Sequence, residues 1–364
     1  MDRLVGVVRS YDWGSCTKLA QLRGVEPSEL PEAELWFGAH PAAPATFAAD
    51  GRAVTEMELP VLAKFLAVAR PLSLQVHPDD AAAVAGYRRE EQCGLSAGDA
   101  RRCFRDPVGK PEVVVAVDYF SSLCGLLPSS EALVVARALG MPDSIVGPLV
   151  DGDRRQAVAG ALAVDGAQVL PGVLEAVRAV GSGLLPVPVV EALNRSSVEH
   201  PEDPALLLLP LMHHVVLEPG EALFVPPGML HTHQSGMAIE VMANSDSVVR
   251  AGLTTKYVDA DLFLDLIDTD AIPLVHRPEG SDYFYNLPTA AFSVRRLSQV
   301  ASTTFDGERP TVVVCSDGSI LATTTGSNRV ELRIRAGEAA WLGPRDGPVE
   351  LSVDGTAYLI FAGP

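Results

Sequence analysis

The sequence predicts a mainly β protein with a helical insert, made of two jelly-roll β-barrel domains plus an α-helical domain. Strand-like runs separated by turn residues fill the N-terminal third, residues 205–256 and the chain beyond about residue 280. The 31 glycines and 28 prolines provide the many turns that such a framework needs. Between residues 129 and 200 the residue pattern changes to alanine-rich runs whose apolar residues have helical spacing.

The first predicted barrel is discontinuous and combines residues 1–125 with residues 205–275, because β texture resumes after the insert. Residues 126–204 form the predicted helical insert. Its helical runs are separated by glycine and proline and read SSEALVVARAL, DRRQAVAGALA and PGVLEAVRAVGSG.

Residues 276–364 are predicted to form the second barrel, since strand-like runs there alternate with closely spaced turns. A short internal echo supports two related barrels. LEPGEALFVPPG at 217–228 and IRAGEAAWLGPR at 334–345 share a strand, a turn, the tripeptide GEA and a second strand.

The composition limits the classes of partner. A formal net charge of -18 opposes binding to nucleic acid and to anionic lipid. It leaves room for a small anionic substrate, because charges farther away than roughly 8 Å are screened at physiological salt. We therefore expect a small-molecule substrate, no nucleic acid and no membrane partner, and we favour a monomer.

The cysteines and the N-terminus indicate a cytoplasmic protein. The five cysteines form an odd set without CxxC spacing, which argues against a disulfide framework. The first residues lack an apolar core followed by a cleavage site, and no apolar run reaches about 18 residues.

The most informative segment is PLSLQVHPDD at 71–80. As a strand it has an apolar face, while the opposite face carries Ser73, Gln75 and His77. A hydroxyl, an amide and an imidazole suit the lining of a cavity, although a surface strand with a polar side has the same pattern. Asp79 or Asp80 is a suitable N-cap for the helical run that follows.

A second segment, VGKPEVVVAVDYF at 108–120, places Lys110 and Glu112 on one face of a predicted strand. The ammonium and the carboxylate lie at the mouth of an otherwise apolar run. This pattern fits either a functional pair or a solvated strand end.

The third segment spans residues 218–256. After a turn at Pro226-Pro227-Gly228, His231 and His233 project from the same side of a strand, and Glu240 lies on one face of its continuation. A histidine pair at this spacing after a glycine turn favours a metal site, although lone histidines are commonly structural. Further charged residues follow without simple periodicity, namely Asp246, Arg250 and Lys256.

Together these segments offer a set of metal ligands. Gln75 provides a neutral carbonyl, Glu112 a carboxylate, and His77 and His231 provide imidazoles. Two nitrogen and two oxygen donors suit Zn²⁺ or another first-row divalent ion. With one carboxylate the loaded site keeps a positive charge that polarises a sugar oxygen or a water molecule.

At this point the sequence resembles the type I phosphomannose isomerases, which belong to the cupin superfamily. The matching blocks occur in family order and cover most of residues 1–260. They are YDWGS, ELWFGAHP, LPVLAKFL, PLSLQVHPDD, KPEVVVAV, PGEALFVPPGMLH and IEVMANSDSVVRAGLTTKYVD. The chain beyond residue 280 fits only as the expected second cupin domain.

The resemblance implies roles for individual residues. It implies that one zinc ion per chain is bound by Gln75, His77, Glu112 and His231. It places Lys64, Ser73 and Lys256 toward the sugar phosphate, and Lys110, Glu240 and Arg250 around the reacting carbons. Trp13 and Glu34 match positions that line the pocket, although each also fits a framework role.

Two positions depart from the family pattern. The KPE motif is usually preceded by Asn-His, but here it follows Val108-Gly109. A tyrosine usually stands two residues after the histidine of the third segment, where this chain has His233. We expect His233 to reach the cavity as a substrate-binding residue, with a fifth metal ligand or a passive hydrogen-bonding residue as the alternatives.

The resemblance implies an aldose–ketose isomerase that interconverts mannose 6-phosphate and fructose 6-phosphate through a cis-enediol. Arg250 is then expected to stabilise the charge of the enediol, with Lys110 or Glu240 transferring the proton. Two alternatives remain at this stage. One is another metal-dependent cupin enzyme, either a dioxygenase or a different sugar-phosphate isomerase, and the other is a non-catalytic sugar-binding cupin.

Overall fold

The computed structural model describes residues 1–55, 58–180, 183–325 and 329–363, and its strands belong to two large antiparallel sheets. In chain order the strands are β1 Asp2–Val5, β2 Val7–Arg9, β3 Glu34–Gly38, β4 Thr46–Phe47, β5 Val61–Val68, β6 Leu74–Val76, β7 Glu112–Ala116, β8 Phe120–Leu126, β9 Met212–Leu217, β10 Ala222–Val225, β11 His231–Ala243, β12 Val249–Gly252, β13 Leu274–His276, β14 Asp282–Phe284, β15 Phe292–Phe305, β16 Thr311–Thr324, β17 Glu331–Arg335, β18 Ala339–Leu342 and β19 Val349–Ala362.

Five of the eight α-helices of the described residues fill the segment between β8 and β9. The eight helices are α1 Lys18–Arg23, α2 Asp80–Gln92, α3 Ser129–Ala138, α4 Asp143–Val150, α5 Arg154–Leu162, α6 Gly166–Val180, α7 Val187–Glu199 and α8 Ala260–Leu266. Short 3-10 turns occupy Pro204–Leu207, Leu209–Leu211 and Pro344–Asp346. The mainly β prediction is confirmed.

The eleven-stranded sheet is organised around β11. Its N-terminal half pairs with β6 and β8, and its C-terminal half pairs with β5 and β7. The register shifts between His233 and Ser235, where the strand passes from one set of partners to the other. Such a shift bends the strand. A single strand thus carries His231 and His233 before the bend and Glu240 after it.

The eight-stranded sheet has the order β14-β15-β19-β16-β18-β1-β4, with β17 paired to β16. Strands β1 and β4 come from the N-terminus, so the first fifty residues contribute to both sheets. The two copies of the GEA echo have the same local structure. Gly220 and Gly337 both have positive φ, 89° and 78°, and each precedes a short strand, β10 or β18.

Five helices, α3 to α7, lie in the region of predicted helical texture, and three of them, α3, α5 and α6, coincide with the predicted runs. Their apolar residues pack with the 3-10 turns in one core cluster. The predicted cap is also confirmed, because the Asp79 carboxylate accepts a hydrogen bond of 2.7 Å from the Ala82 amide at the start of α2. Among the described residues no single helix is long and apolar enough to cross a membrane. Only Arg154–Leu162 and Gly166–Ala179 together, bent by 114°, meet that length and composition.

The bend in β11 depends on Gly236, whose φ is 118°. A Cβ atom at this position would lie 2.3 Å from the carbonyl oxygen of Tyr119. We expect Gly236→Ala to lower the free energy of unfolding by at least about 2 kcal/mol, because backbone strain adds to the steric contact.

The matched control for this substitution is Gly98→Ala, where an added Cβ meets no atom within 4 Å. Urea denaturation should leave that variant within about 0.5 kcal/mol of the wild type. Equal stabilities of the two variants would contradict the steric account of the bend.

Candidate functional site

Three buried side chains form the centre of the site. Strand pairing places His231 opposite Gln75 on β6, while Glu112 starts β7 opposite Met242 of β11. His77 follows β6 by one residue, and its Nε2 atom lies 3.1 Å from Oε2 of Glu112. The Nε2 atom of His231 lies 4.0 Å from the same oxygen. All three ligand atoms lie within 4.8 Å of one another.

The tautomers of the two histidines follow from their backbone contacts. Nδ1 of His77 lies 3.2 Å from the Ser247 carbonyl, and Nδ1 of His231 lies 2.9 Å from the Met229 carbonyl. A carbonyl only accepts, so each Nδ1 carries the proton and each Nε2 directs a lone pair toward Glu112. Nε2 of His77 is buried and has no hydrogen-bond partner among the described residues. The nitrogen lone pairs of two imidazoles thus face one carboxylate, and a cation bound between them would stabilise this arrangement.

The electrostatic environment keeps both imidazoles neutral. Burial lowers the pKa of His77 to about 3, and burial also lowers the pKa of His231. Burial alone would raise the pKa of Glu112, but it lies below its usual range because the ammonium of Lys110 is close. The carboxylate is therefore ionised beside neutral imidazole nitrogens, as metal binding requires.

Gln75 also reaches this centre. Its Nε2 atom lies 3.3 Å from Nε2 of His231, while its Oε1 atom accepts a hydrogen bond of 3.0 Å from Ser73. The amide nitrogen thus faces the imidazole in this structure. The predicted alternation on PLSLQVHPDD is confirmed for this stretch, because Leu74 and Val76 point into an apolar core.

A second cluster lies on the other side of the bend. Lys64 stands directly opposite Glu240 across β5 and β11, and its Nζ atom lies 2.5 Å from Oε2 of Glu240. The same Nζ atom lies 3.3 Å from Oε1 of Glu34, whose other oxygen accepts a hydrogen bond from the Trp36 indole. Burial opposes the charge on Lys64, yet the carboxylates of Glu240 and Glu34 raise its pKa. Lys64 is thus held between two carboxylates.

Lys110 and Glu240 complete the buried set. Nζ of Lys110 lies 3.0 Å from Oε1 of Glu112, which confirms that the two side chains share a face. The pKa of Glu240 lies above its usual range, because the side chain is buried and Glu112 repels its charge. Counting Glu34 and Lys64 as well, three carboxylates accompany two ammonium groups, so the centre has an excess of negative charge.

His233 lies in the same interior. It is 1% exposed, its Nδ1 atom lies 2.8 Å from the Ser122 hydroxyl, and its Nε2 atom lies 3.8 Å from Oε1 of Glu240. Sequence reasoning missed Ser122, which had no motif around it. It is recognisable only once β8 is paired with β11.

Three further predicted residues have half-buried or exposed side chains. Arg250 pairs with Gln75 across β12 and β6 and makes no ion pair with a described residue. Lys256 is exposed, and its Nζ atom lies 5.3 Å from the centroid of the Tyr11 ring. Trp13 is partly buried and stacks on Tyr11 with ring centroids 5.7 Å apart.

Lys64 makes two buried ion pairs. The resemblance places it toward the phosphate, whereas here its charge is already matched by two buried carboxylates.

His40 is a buried residue that sequence reasoning did not single out. Its Nε2 atom lies 3.4 Å from Oδ1 of Asp246, and its own sequence signal was the GAHP of a matching block.

Lys64→Met should destabilise the fold by about 3–5 kcal/mol, because it leaves Glu34 and Glu240 buried without a cation. The two carboxylates should then bind protons more readily in the folded than in the unfolded chain. The deficit should therefore shrink as pH falls, which urea denaturation at mildly acidic and mildly alkaline pH measures.

Lys18→Met is the matched control, since Lys18 pairs with Asp118 at the partly exposed surface. It should cost at most about 1 kcal/mol. A similar loss in both variants, or a deficit independent of pH, would contradict the buried pairing of Lys64.

Comparison with known proteins agrees with this geometry. Residues 1–129 match the family model of the phosphomannose isomerase type I catalytic domain. The mannose-6-phosphate isomerases of Escherichia coli (strain K12) and Shigella flexneri are 30% and 31% identical, each over 99% of both chains. A crystal structure of mannose 6-phosphate isomerase bound with zinc and yttrium has a TM-score of 0.88 at 27% identity and full coverage of both chains. The chain belongs to the type I mannose-6-phosphate isomerase family.

Proposed function

We propose that this chain is a zinc-dependent mannose-6-phosphate isomerase that interconverts mannose 6-phosphate and fructose 6-phosphate. The observation that carries the proposal is the buried His77, Glu112 and His231 group in a chain of this family. The reaction moves a proton between C2 and C1 of the open-chain sugar while a hydroxyl proton passes between O2 and O1. It requires a positioned base, stabilisation of the enediol charge and a contact for the phosphate.

The residues present fit a zinc ion. His77 and His231 offer Nε2 lone pairs, Glu112 offers a carboxylate, and the excess of buried negative charge is reduced by a divalent cation. Gln75 becomes the fourth ligand if its amide turns over, so that Oε1 replaces Nε2 next to His231. Zinc bound by these residues would supply a Lewis acid that polarises the sugar oxygens.

The protein's own residues handle the proton. Lys110 and Glu240 are the candidates for the transfer between C2 and C1, because both are buried beside the metal ligands. The raised pKa of Glu240 suits a group that takes up and returns a proton near neutral pH. Arg250 is proposed to stabilise the negative charge of a cis-enediol intermediate, since its guanidinium has no competing ion pair among the described residues.

The substrate contacts divide by depth. Ser73, Lys256 and Trp13 are proposed to contact the sugar phosphate near the rim. His233 is proposed to contact a sugar hydroxyl through its Nε2 atom, which makes no hydrogen bond with any described residue. Glu34 and Lys64 are proposed to line the interior, and the contact of Lys64 with Glu240 supports a positioning role for its ammonium.

The organisation of the chain remains a proposal as well. We infer two cupin domains, formed by residues 1–125 with 205–275 and by residues 276–364, with residues 126–204 as a helical insert domain. We also infer a cytoplasmic monomer, and the strong negative charge supports a small-molecule substrate rather than nucleic acid or membrane.

The proposed activity is tested by turnover of mannose 6-phosphate. We expect activity that a chelator abolishes and added Zn²⁺ restores, with about one zinc ion per chain. Glu112→Gln removes the only anionic ligand and should lose zinc, whereas Glu240→Gln should keep zinc and lose turnover. Normal zinc content in Glu112→Gln would contradict the ligand assignment.

Arg250→Ala should lower kcat at least about 100-fold, as expected for a group that acts mainly on the transition state. Arg250→Lys should recover little, because a point charge does not reproduce a planar guanidinium. Arg88→Ala, at an exposed position on α2, is the control. A large rise in KM at near-normal kcat would instead make Arg250 a binding residue.

A further inference from the structure

Residues 103–106, a loop before the KPE motif, are held in place by several hydrogen bonds. The buried carboxylate of Glu90 accepts hydrogen bonds of 2.9 Å from the backbone amides of Cys103 and Phe104. The carbonyl of Cys103 accepts a hydrogen bond of 3.0 Å from the Val248 amide. Arg105 directly follows these anchored residues, so its backbone is fixed although its side chain is exposed.

The same contacts bring Arg105 beside the strand that carries Arg250. The Asp106 carbonyl accepts a hydrogen bond of 3.3 Å from the Ser247 hydroxyl, and its carboxylate accepts one of 2.9 Å from the Asp246 amide. Residues 103–106 therefore run alongside residues 246–248, just before β12. Arg105 and Arg250 therefore extend from neighbouring segments of the chain.

Arg105, Arg250 and Lys256 form a group of cations that we call the rim cluster. Within the part of the chain that the structure describes, none of the three forms an ion pair with a carboxylate, and the only side-chain hydrogen bond of Arg105 goes to the Ala97 carbonyl at 3.2 Å. Unmatched cations stand out in a chain with 46 acidic and 28 basic side chains. Their mutual proximity costs free energy that an anion would recover.

The electrostatics agree with this geometry. Partial burial of its ammonium lowers the pKa of Lys256, although the side chain as a whole is exposed, and Arg250 and Arg105 lower it further. Burial and Arg105 likewise lower the pKa of Arg250. Asp246 acts in the opposite direction on both groups, but it lies 3.4 Å from His40 and does not pair with a member of the rim cluster.

We propose that Arg105 binds the phosphate of the sugar substrate together with Lys256, and that it makes the site selective for phosphorylated over unphosphorylated sugars. The inference rests on the proposed function. A guanidinium offers two parallel N–H donors to a phosphate, a geometry that the anchored backbone of Arg105 helps to preorganise. Lys64 is less suited to this contact, because Glu34 and Glu240 already match its charge.

The test compares phosphorylated and unphosphorylated sugar in the zinc-loaded enzyme. Arg105→Ala should raise the KM for mannose 6-phosphate about tenfold, the effect of losing one exposed charge-assisted hydrogen bond, with little change in kcat. Inhibition by inorganic phosphate should weaken by a similar factor. Turnover of free mannose, measured as kcat/KM at high enzyme concentration, should stay at the wild-type level, and Arg105→Lys should recover part of the affinity.

Arg88→Ala, which removes the same charge from exposed α2, is the control and should leave all three measurements unchanged. An equal loss for mannose and mannose 6-phosphate, or an unchanged KM for the phosphorylated sugar, would overturn the role of Arg105. Failure of the proposed function has a different signature, because the wild type itself would then not isomerise mannose 6-phosphate. Calorimetric titration with inorganic phosphate tests the Arg105 contact in that case, and equal affinity of wild type and Arg105→Ala would refute it.

Discussion

A charged group buried in a folded protein is stable only beside a group of opposite charge, and the eleven-stranded sheet buries five charged side chains near one another. They are Glu34, Lys64, Lys110, Glu112 and Glu240. Strand β11 makes this possible, because its bend at Gly236 lets one strand contribute to two sets of pairings. Glu34, Lys64, Glu112 and Glu240 are each positioned by a cross-strand neighbour, whereas Lys110 lies just before β7.

The buried side chains of the site and the rim cluster carry net charges of opposite sign. The interior has more carboxylates than ammonium groups, which suits a divalent cation. The cations of the rim cluster form no ion pair with a carboxylate of the described residues, which suits an anion. These two needs correspond to the two ends of a sugar phosphate. An overall charge of -18 is compatible with such a substrate, because only the groups within a screening length act strongly on it.

Strand alternation was enough to predict that Gln75 and His77 share a face and that Lys110 accompanies Glu112, since a period of two is a local property. The helical runs were equally predictable from their spacing. The contacts that depend on strand pairing were not predictable from the sequence. Ser122 beside His233, and Lys64 between two carboxylates, depend on which strands become neighbours, and no local pattern encodes that choice.

The N-terminal strand has a consequence for how the chain is made. Residues Asp2 to Leu4 on β1 pair with Ala339 to Trp341 on β18, so this pairing joins segments more than 330 residues apart in the sequence. Until β18 has been made, β1 has an unpaired edge on that side. Closure of the eight-stranded sheet therefore has to await β18, whereas the helices between β8 and β9 are able to fold from local contacts while the chain is still growing.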